Sequence, residues 1–271
     1  MSANGFIQVK DLDLVFMKEG KPFPVIKDLN ASIGKGEFAV LVGPSDSGKT
    51  CLLRLIAGFE DPTSGEILVD GKSVKGPDPS RGYVFQDMVL FPWMTVHQNA
   101  SFGPKSRGLS EKEVKEVTKK WLDKVGLTKF QGKYLHELSG GMQQRVGFAR
   151  VMANDPEVLL CDEPLGQLDW VSRETLSNEV LQVWHETGRT VVYVTQAIEE
   201  AVYLAQKIYI FTPRPGKIAQ ILEVKLPEKR WEDKDLRFKK EYYHYVEQLR
   251  EIITKQASKS KEPVEKGPCS P

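Results

Sequence analysis

No apolar run in the sequence approaches the ~20 residues needed to span a bilayer. The longest, such as Phe38-Ala39-Val40-Leu41-Val42, are strand-sized. The opening residues Met1-Ser2-Ala3-Asn4-Gly5 lack the charged-then-apolar order of a secretory signal, so the expectation is a cytosolic chain. Cysteine is scarce and scattered: Cys51, Cys161 and Cys269 form no close pair. That pattern argues against a disulfide framework and a zinc site, and Cys51 reads as a buried free thiol. The four histidines (His97, His136, His185, His244) are too dispersed to suggest a metal cluster. Charge of one sign is also missing. Lys+Arg number 38 against Asp+Glu 37, so no basic surplus points to nucleic acid.

What is present is an ordinary soluble balance, 40% hydrophobic and 28% charged over 271 residues. It excludes a wholly disordered chain and allows one large domain with a small appendage. Apolar runs at 7–9, 14–16, 38–42, 67–69, 83–85, 158–161, 190–194 and 208–211 predict strands. Gly20 to Pro24 carries turn signals that predict a hairpin after the first. Helices are predicted over 49–57 (ended by Gly58), 141–153, 170–187 and 197–205. Ser110 and Glu113 fit a capping box that opens another. Strand and helix alternate after residue 158, which implies a parallel sheet covered by helices, with a helical insertion between its halves. A charged helix is predicted over 235–257, with Phe238, Tyr242, Tyr245 and Leu249 on one stripe.

Gly43-Pro44-Ser45-Asp46-Ser47-Gly48-Lys49-Thr50 fits G-x-x-x-x-G-K-[ST], after a predicted strand and opening a predicted helix. Successive backbone N–H groups and the helix N-terminus offer a positive field to phosphates. Lys49 adds a point charge for the terminal phosphates, and the Thr50 hydroxyl suits Mg²⁺. Downstream, Val158-Leu159-Leu160-Cys161-Asp162-Glu163 is an apolar strand ending in two carboxylates. Asp162 is suited to hold Mg²⁺ and Glu163 to polarise an attacking water, the two tasks phosphoryl transfer sets.

Leu138-Ser139-Gly140-Gly141-Met142-Gln143-Gln144-Arg145 lies shortly before that strand. With it the chain closely resembles the ATP-binding subunits of ABC transporters over about residues 6–225. The order of motifs is theirs: Walker A at 43–50, Q-loop at Gln86, signature at 138–142, Walker B at 158–163, D-loop at Leu168-Asp169. Phe91 to Val96, Ala197 to Ala205 and Arg214 to Ile218 narrow the resemblance to the nitrate, sulfonate and taurine importer branch. It implies an α/β fold: a P-loop (RecA-like) core, an antiparallel β subdomain, and an α-helical subdomain that carries the signature. The cassette is expected over 1–225 with its helical part at about 88–152, a helical extension over 226–257, and a disordered tail over 258–271.

The resemblance also implies roles. Gly43, Ser45, Ser47, Gly48, Lys49 and Thr50 would bind ATP, with Phe16 stacking on adenine. Ser139, Gly140, Gly141, Gln144 and Asp169 would face nucleotide held by an opposing subunit, since such proteins pair head to tail around two ATP molecules. Thr50, Gln86 and Asp162 would serve Mg²⁺, and Glu163, Gln86 and Gln196 catalysis. Partners would be a second cassette, in a homodimer or heterodimer, and membrane permease subunits near Gln86 and Leu90 to Val96. A solute-binding protein is served indirectly, and no nucleic acid is expected. The location implied is peripheral, on the cytoplasmic face of the inner membrane.

Two residues depart from the family pattern. Asp46 stands where glycine is usual. Aspartate tolerates a left-handed backbone, but one like-charge pair at ~5 Å and an effective dielectric of ~20 costs roughly 3 kcal/mol, unless the side chain faces solvent. Gln196 stands where the family has histidine. An amide still donates a hydrogen bond but carries no charge and relays no proton, so slow hydrolysis is expected. Two other readings stay open on the sequence: an ABC module that binds ATP without turnover, and an ABC ATPase outside transport.

Overall fold

The computed structural model describes residues 5–87 and 89–258. In chain order its elements are β1 (Ile7–Lys18), β2 (Lys21–Ile33), β3 (Phe38–Val42), α1 (Lys49–Ala57), β4 (Ser64–Val69), β5 (Lys72–Ser73), β6 (Arg81–Val84), α2 (Val96–Ser106), α3 (Glu111–Lys124) and α4 (Gly140–Met152). Then follow β7 (Val158–Asp162), α5 (Trp170–Thr187), β8 (Thr190–Val194), α6 (Ile198–Leu204), β9 (Lys207–Phe211), β10 (Ile218–Glu223) and α7 (Lys240–Ala257).

The strands make two sheets. One is antiparallel, in the order β2-β1-β4-β5. Its hairpin closes at Glu19 and Gly20, both at positive φ, with Lys18 paired to Lys21, the two-residue turn that matches strand twist. The other sheet runs β10-β9-β3-β8-β7-β6 and is parallel from β9 to β6. Strands β3, β7 and β8 are buried at every residue, as central strands covered on both faces must be. Their side chains alternate between two cores. Phe38, Val40, Leu159 and Tyr193 point into one, with α5, α6 and α7. Ala39, Leu41, Leu160 and Val192 point into the other, with α1 and the β1–β2 hairpin. Leu52, Leu53, Leu55 and Ile56 of α1 are at most 1% exposed. At ~1.5–3 kcal/mol for each buried side chain of this size, they fix the helix that follows the phosphate loop.

The fold class agrees with the sequence reading, and particular elements correct it. Helix α2 lies outside the helices predicted from the sequence; Thr95 starts it with a capping box to Gln98, and Pro104 sits inside it. The helix expected from residue 235 starts at Lys240. Lys239 is extended, so Leu236–Phe238 form a separate 3₁₀ turn, and Phe238 lies in solvent, off the stripe of Tyr242 and Leu249. The edge strand β10, antiparallel to β9, was missed because its mostly exposed residues carry no run or alternation. Cys51 is buried on α1, and Cys161 is free and buried. The tail expected over 258–271 lies, from residue 259, outside the described residues.

Candidate active site

The parallel sheet brings four sequence motifs to one edge. At the carboxyl ends of adjacent strands stand the phosphate loop (after β3), Gln196 (after β8), Asp162 and Glu163 (end of β7) and Gln86 (after β6). This is the edge at which open α/β sheets bind ligands.

The loop 43–48 leads directly into α1, whose N-cap is Gly48. Gly48 sits at φ 88°, and a Cβ there would lie 2.8 Å from Ile26 Cγ1, so only glycine fits. No side chain caps α1, and no acid occupies its first turn, which leaves the first-turn N–H groups and the positive end of the dipole for an anion. A close approach closes the loop from one side: a Cβ on Gly216 would fall 1.9 Å from Ser47 O.

Lys49 lies beneath the loop, 5% exposed. Its Nζ donates to Gly43 O at 3.0 Å, Pro44 O at 2.7 Å and Ser47 Oγ at 3.2 Å. Burial lowers its pKa to about 8, against the opposing pull of Glu163, Asp162 and Asp46. A cation held this far out of water gains strongly from an entering polyanion. Asp46 adopts φ 59°, the left-handed conformation the sequence position requires. It is half-buried, and its charge favours the ammonium form of Lys49. Ser45 is exposed at the mouth of the loop and Ser47 buried at its floor.

Behind the loop, both oxygens of Asp162 are held. Thr50 Oγ1 donates to Oδ1 at 2.9 Å and Tyr83 OH to Oδ2 at 2.9 Å. Burial raises the pKa of Asp162, and these two hydrogen bonds oppose that shift. Glu163 follows at φ 44° and is half-buried. Gln196 Nε2 donates to Glu163 Oε1 at 2.9 Å, so the two residues read as catalytic are in contact. The backbone carrying Gln196 is pinned by Glu200. Tyr193 OH donates to Glu200 Oε1 at 2.8 Å, Thr195 Oγ1 donates to its other oxygen, and Ala197 N donates to Thr195 Oγ1 at 3.1 Å. Burial pushes the Glu200 pKa up, and the two hydroxyls hold it down. Gln86 is half-buried, and the neighbouring Asp87 accepts a hydrogen bond from Gln167 Nε2 at 2.9 Å. This ties the segment after β6 to the loop that follows Glu163.

The remaining expected residues fall in two places. Phe16 pairs with Phe23 across the hairpin, two residues beyond the Leu14–Ile26 pair whose Ile26 packs against Gly48; it is half-buried. The Arg214 guanidinium lies 4.0 Å above the ring of Phe23. Ser139 caps α4, its Oγ accepting from Met142 N, and Gly140 and Gly141 form the exposed and half-exposed first turn. Asp169 caps α5 in the same way, with Ser172 N at 3.0 Å. Gln144 is buried and turned inward, its Nε2 donating to Pro164 O. Among the described residues, no hydrogen bond joins 138–142 to 43–50. Sequence reasoning overlooked Tyr83 and Glu200. Tyr83 stood inside a strand run, and nothing in the spacing shows that its hydroxyl meets Asp162.

A family model described as ABC transporter matches residues 26–166. The nitrate import ATP-binding protein of Synechocystis sp. is 42% identical over 251 residues, 91% of this chain and 94% of that protein. The taurine import ATP-binding protein of Roseobacter denitrificans is 41% identical, over 91% of this chain and 92% of its own length. Among solved structures, a dimeric ATP-binding cassette in a post-hydrolysis state, bound to ADP and Pi, superposes with a TM-score of 0.72 at 27% identity. That match covers 82% of this chain and all of the cassette.

Proposed function

The chain belongs to the ABC transporter family, and from that premise we propose that it is the ATP-hydrolysing subunit of an importer for a small anion of the nitrate, taurine or sulfonate type. One observation carries the reading. The buried Lys49, the Thr50–Asp162 pair and the Glu163–Gln196 pair converge at one sheet edge, behind the uncapped N-terminus of α1.

The residues present fit a Mg²⁺-bound triphosphate. The loop supplies N–H donors, Lys49 a desolvated positive charge, and Thr50 and Asp162 oxygen ligands of the kind Mg²⁺ takes. When bound, Mg²⁺ supplies charge neutralisation at the reacting phosphate. The protein's own part is positional. Lys49 exchanges its carbonyl partners for phosphate oxygens, and Glu163 orients a water through a carboxylate whose other face Gln196 holds. Phe16 stacks on the base and Gln86 borders the reacting centre.

The signature residues Ser139, Gly140 and Gly141 and the D-loop Asp169 complete the site of a second cassette, which accounts for an N-capped, glycine-rich helix start that, among the described residues, makes no hydrogen bond to its own phosphate loop. An apolar groove lined by Phe59, Phe85, Val89, Phe91, Phe102 and Arg150 is the seat for a permease. Among the described residues no helix is long and apolar enough to cross a membrane. In this reading the permease seated in that groove holds the subunit at the cytoplasmic face.

Gln196 sets a modest rate. Its amide orients Glu163 but carries no charge into the transition state. Gln196→His is expected to raise steady-state ATP hydrolysis of the assembled transporter by roughly 10-fold, less than the roughly 10²–10⁴-fold of a full acid–base group because the glutamine amide already orients Glu163. Phosphate release measured for both proteins checks this, and equal rates remove Gln196 from the mechanism.

A further inference from the structure

The permease groove and the carboxylate Asp162 are joined by a single side chain. Tyr83 is 7% exposed and lies on β6 between them. Its ring forms part of the groove wall, 4.5 Å from Phe85 and 5.3 Å from Phe59 between centroids, and those two rings stack on each other at 6.1 Å. Phe59 and Phe85 are 40% and 39% exposed, so any docked element touches them. At the far end of the same ring, the hydroxyl donates to Asp162 Oδ2 at 2.9 Å. A tyrosine is rigid across its ring, so a shift imposed at Phe85 moves the hydroxyl as well.

We propose that Tyr83 is a positioning residue that fixes the orientation of Asp162 and transmits the occupancy of the apolar groove to it. The proposal rests on the nucleotide and permease reading above. Thr50 holds Asp162 Oδ1 and Tyr83 holds Oδ2, so the carboxylate has one rotation about its axis while both hydroxyls are in place. An element seated against Phe59 and Phe85 presses on the ring and changes the Oδ2 hydrogen bond. The carboxylate then turns toward or away from the cation without any motion of the phosphate loop. This route is separate from Gln86, which lies on the same segment two residues past the strand end.

The test uses the full chain loaded with ADP and titrated with Mn²⁺ as the probe cation, followed by electron paramagnetic resonance. Tyr83→Phe keeps the ring and removes only the hydroxyl. It is expected to weaken Mn²⁺ binding 3- to 10-fold, while ADP affinity without metal stays unchanged, a separation that a packing role does not produce. Phe85→Ala supplies the groove arm. It is expected to change Mn²⁺ affinity when Tyr83 is present and to have no further effect in Tyr83→Phe, a non-additive pair in a double-mutant cycle. Wild-type Mn²⁺ affinity in Tyr83→Phe overturns the proposal, as does an effect of Phe85→Ala that is the same with and without the hydroxyl. A wild-type chain with no nucleotide-dependent Mn²⁺ signal overturns the functional reading itself, and this inference with it.

Discussion

Glu163→Gln is expected to lower steady-state ATP hydrolysis by about 10²–10⁴-fold, the contribution of one positioned acid–base group. ATP affinity should stay within a few-fold of wild type. Glu163 stands one residue past β7 and is held at φ 44°, so the turn that presents it is specific to that position. Glutamine keeps the length of the side chain, and its carbonyl oxygen still accepts from Gln196 Nε2. What it loses is the negative charge that aligns and polarises water. Lys49, Thr50 and Asp162 remain intact and govern binding. Rapid-quench hydrolysis together with fluorescent-nucleotide titration separates the two effects. A variant that hydrolyses at more than a tenth of the wild-type rate removes Glu163 from its role.

Lys49→Ala is the second large effect, and it falls on binding. The ammonium is 5% exposed and donates to two loop carbonyls and one hydroxyl. A triphosphate replaces those weak partners with charged oxygens, and hydrogen bonds to charged groups are worth about 1.5–3 kcal/mol each. Losing two of them corresponds to an affinity loss of about 10²–10⁴-fold. The substitution also leaves the loop carbonyls of Gly43 and Pro44 without their donor, so the cradle loosens as well as losing its charge. Titration calorimetry with ATP and Mg²⁺ checks the size, and thermal denaturation shows that the core built on α1 and β3 is still folded. Affinity within 10-fold of wild type contradicts the assignment.

Much of this was legible in the sequence because it rests on local rules. The apolar run 38–42 followed by Gly43 to Thr50 specifies a buried strand, a glycine-hinged loop and a helix, and the structure has β3 and α1 within the expected limits. Gly58 at φ 79° ends α1, and Ser110 with Glu113 starts α3. Strand order was not legible. That β8 lies between β3 and β7, and so sets Gln196 against Glu163, follows from strand pairing, which puts Phe38 beside Val191 on one side and Asp162 beside Val194 on the other. Tyr83 was hidden for the same reason, because only the β6–β7 register puts its hydroxyl beside Asp162. The extension after residue 225 was misread where one extended residue, Lys239, breaks a stripe that periodicity carries straight through. The left-handed Asp46 shows the opposite case, a departure visible in the sequence whose backbone consequence the structure bears out.

In the proposed function each cassette holds a triphosphate on its own loop and completes the site of its partner with Ser139 and Gly141. Sedimentation velocity on the Glu163→Gln protein tests it most directly, since blocked turnover accumulates the nucleotide-bound state. A monomer without nucleotide and a dimer with saturating ATP and Mg²⁺ are the expected result. The same protein carrying Ser139→Tyr should bind ATP and stay monomeric. Glu163→Gln protein that is saturated with ATP and still sediments as a monomer, or a Ser139→Tyr variant that dimerises as readily as its parent, would contradict it.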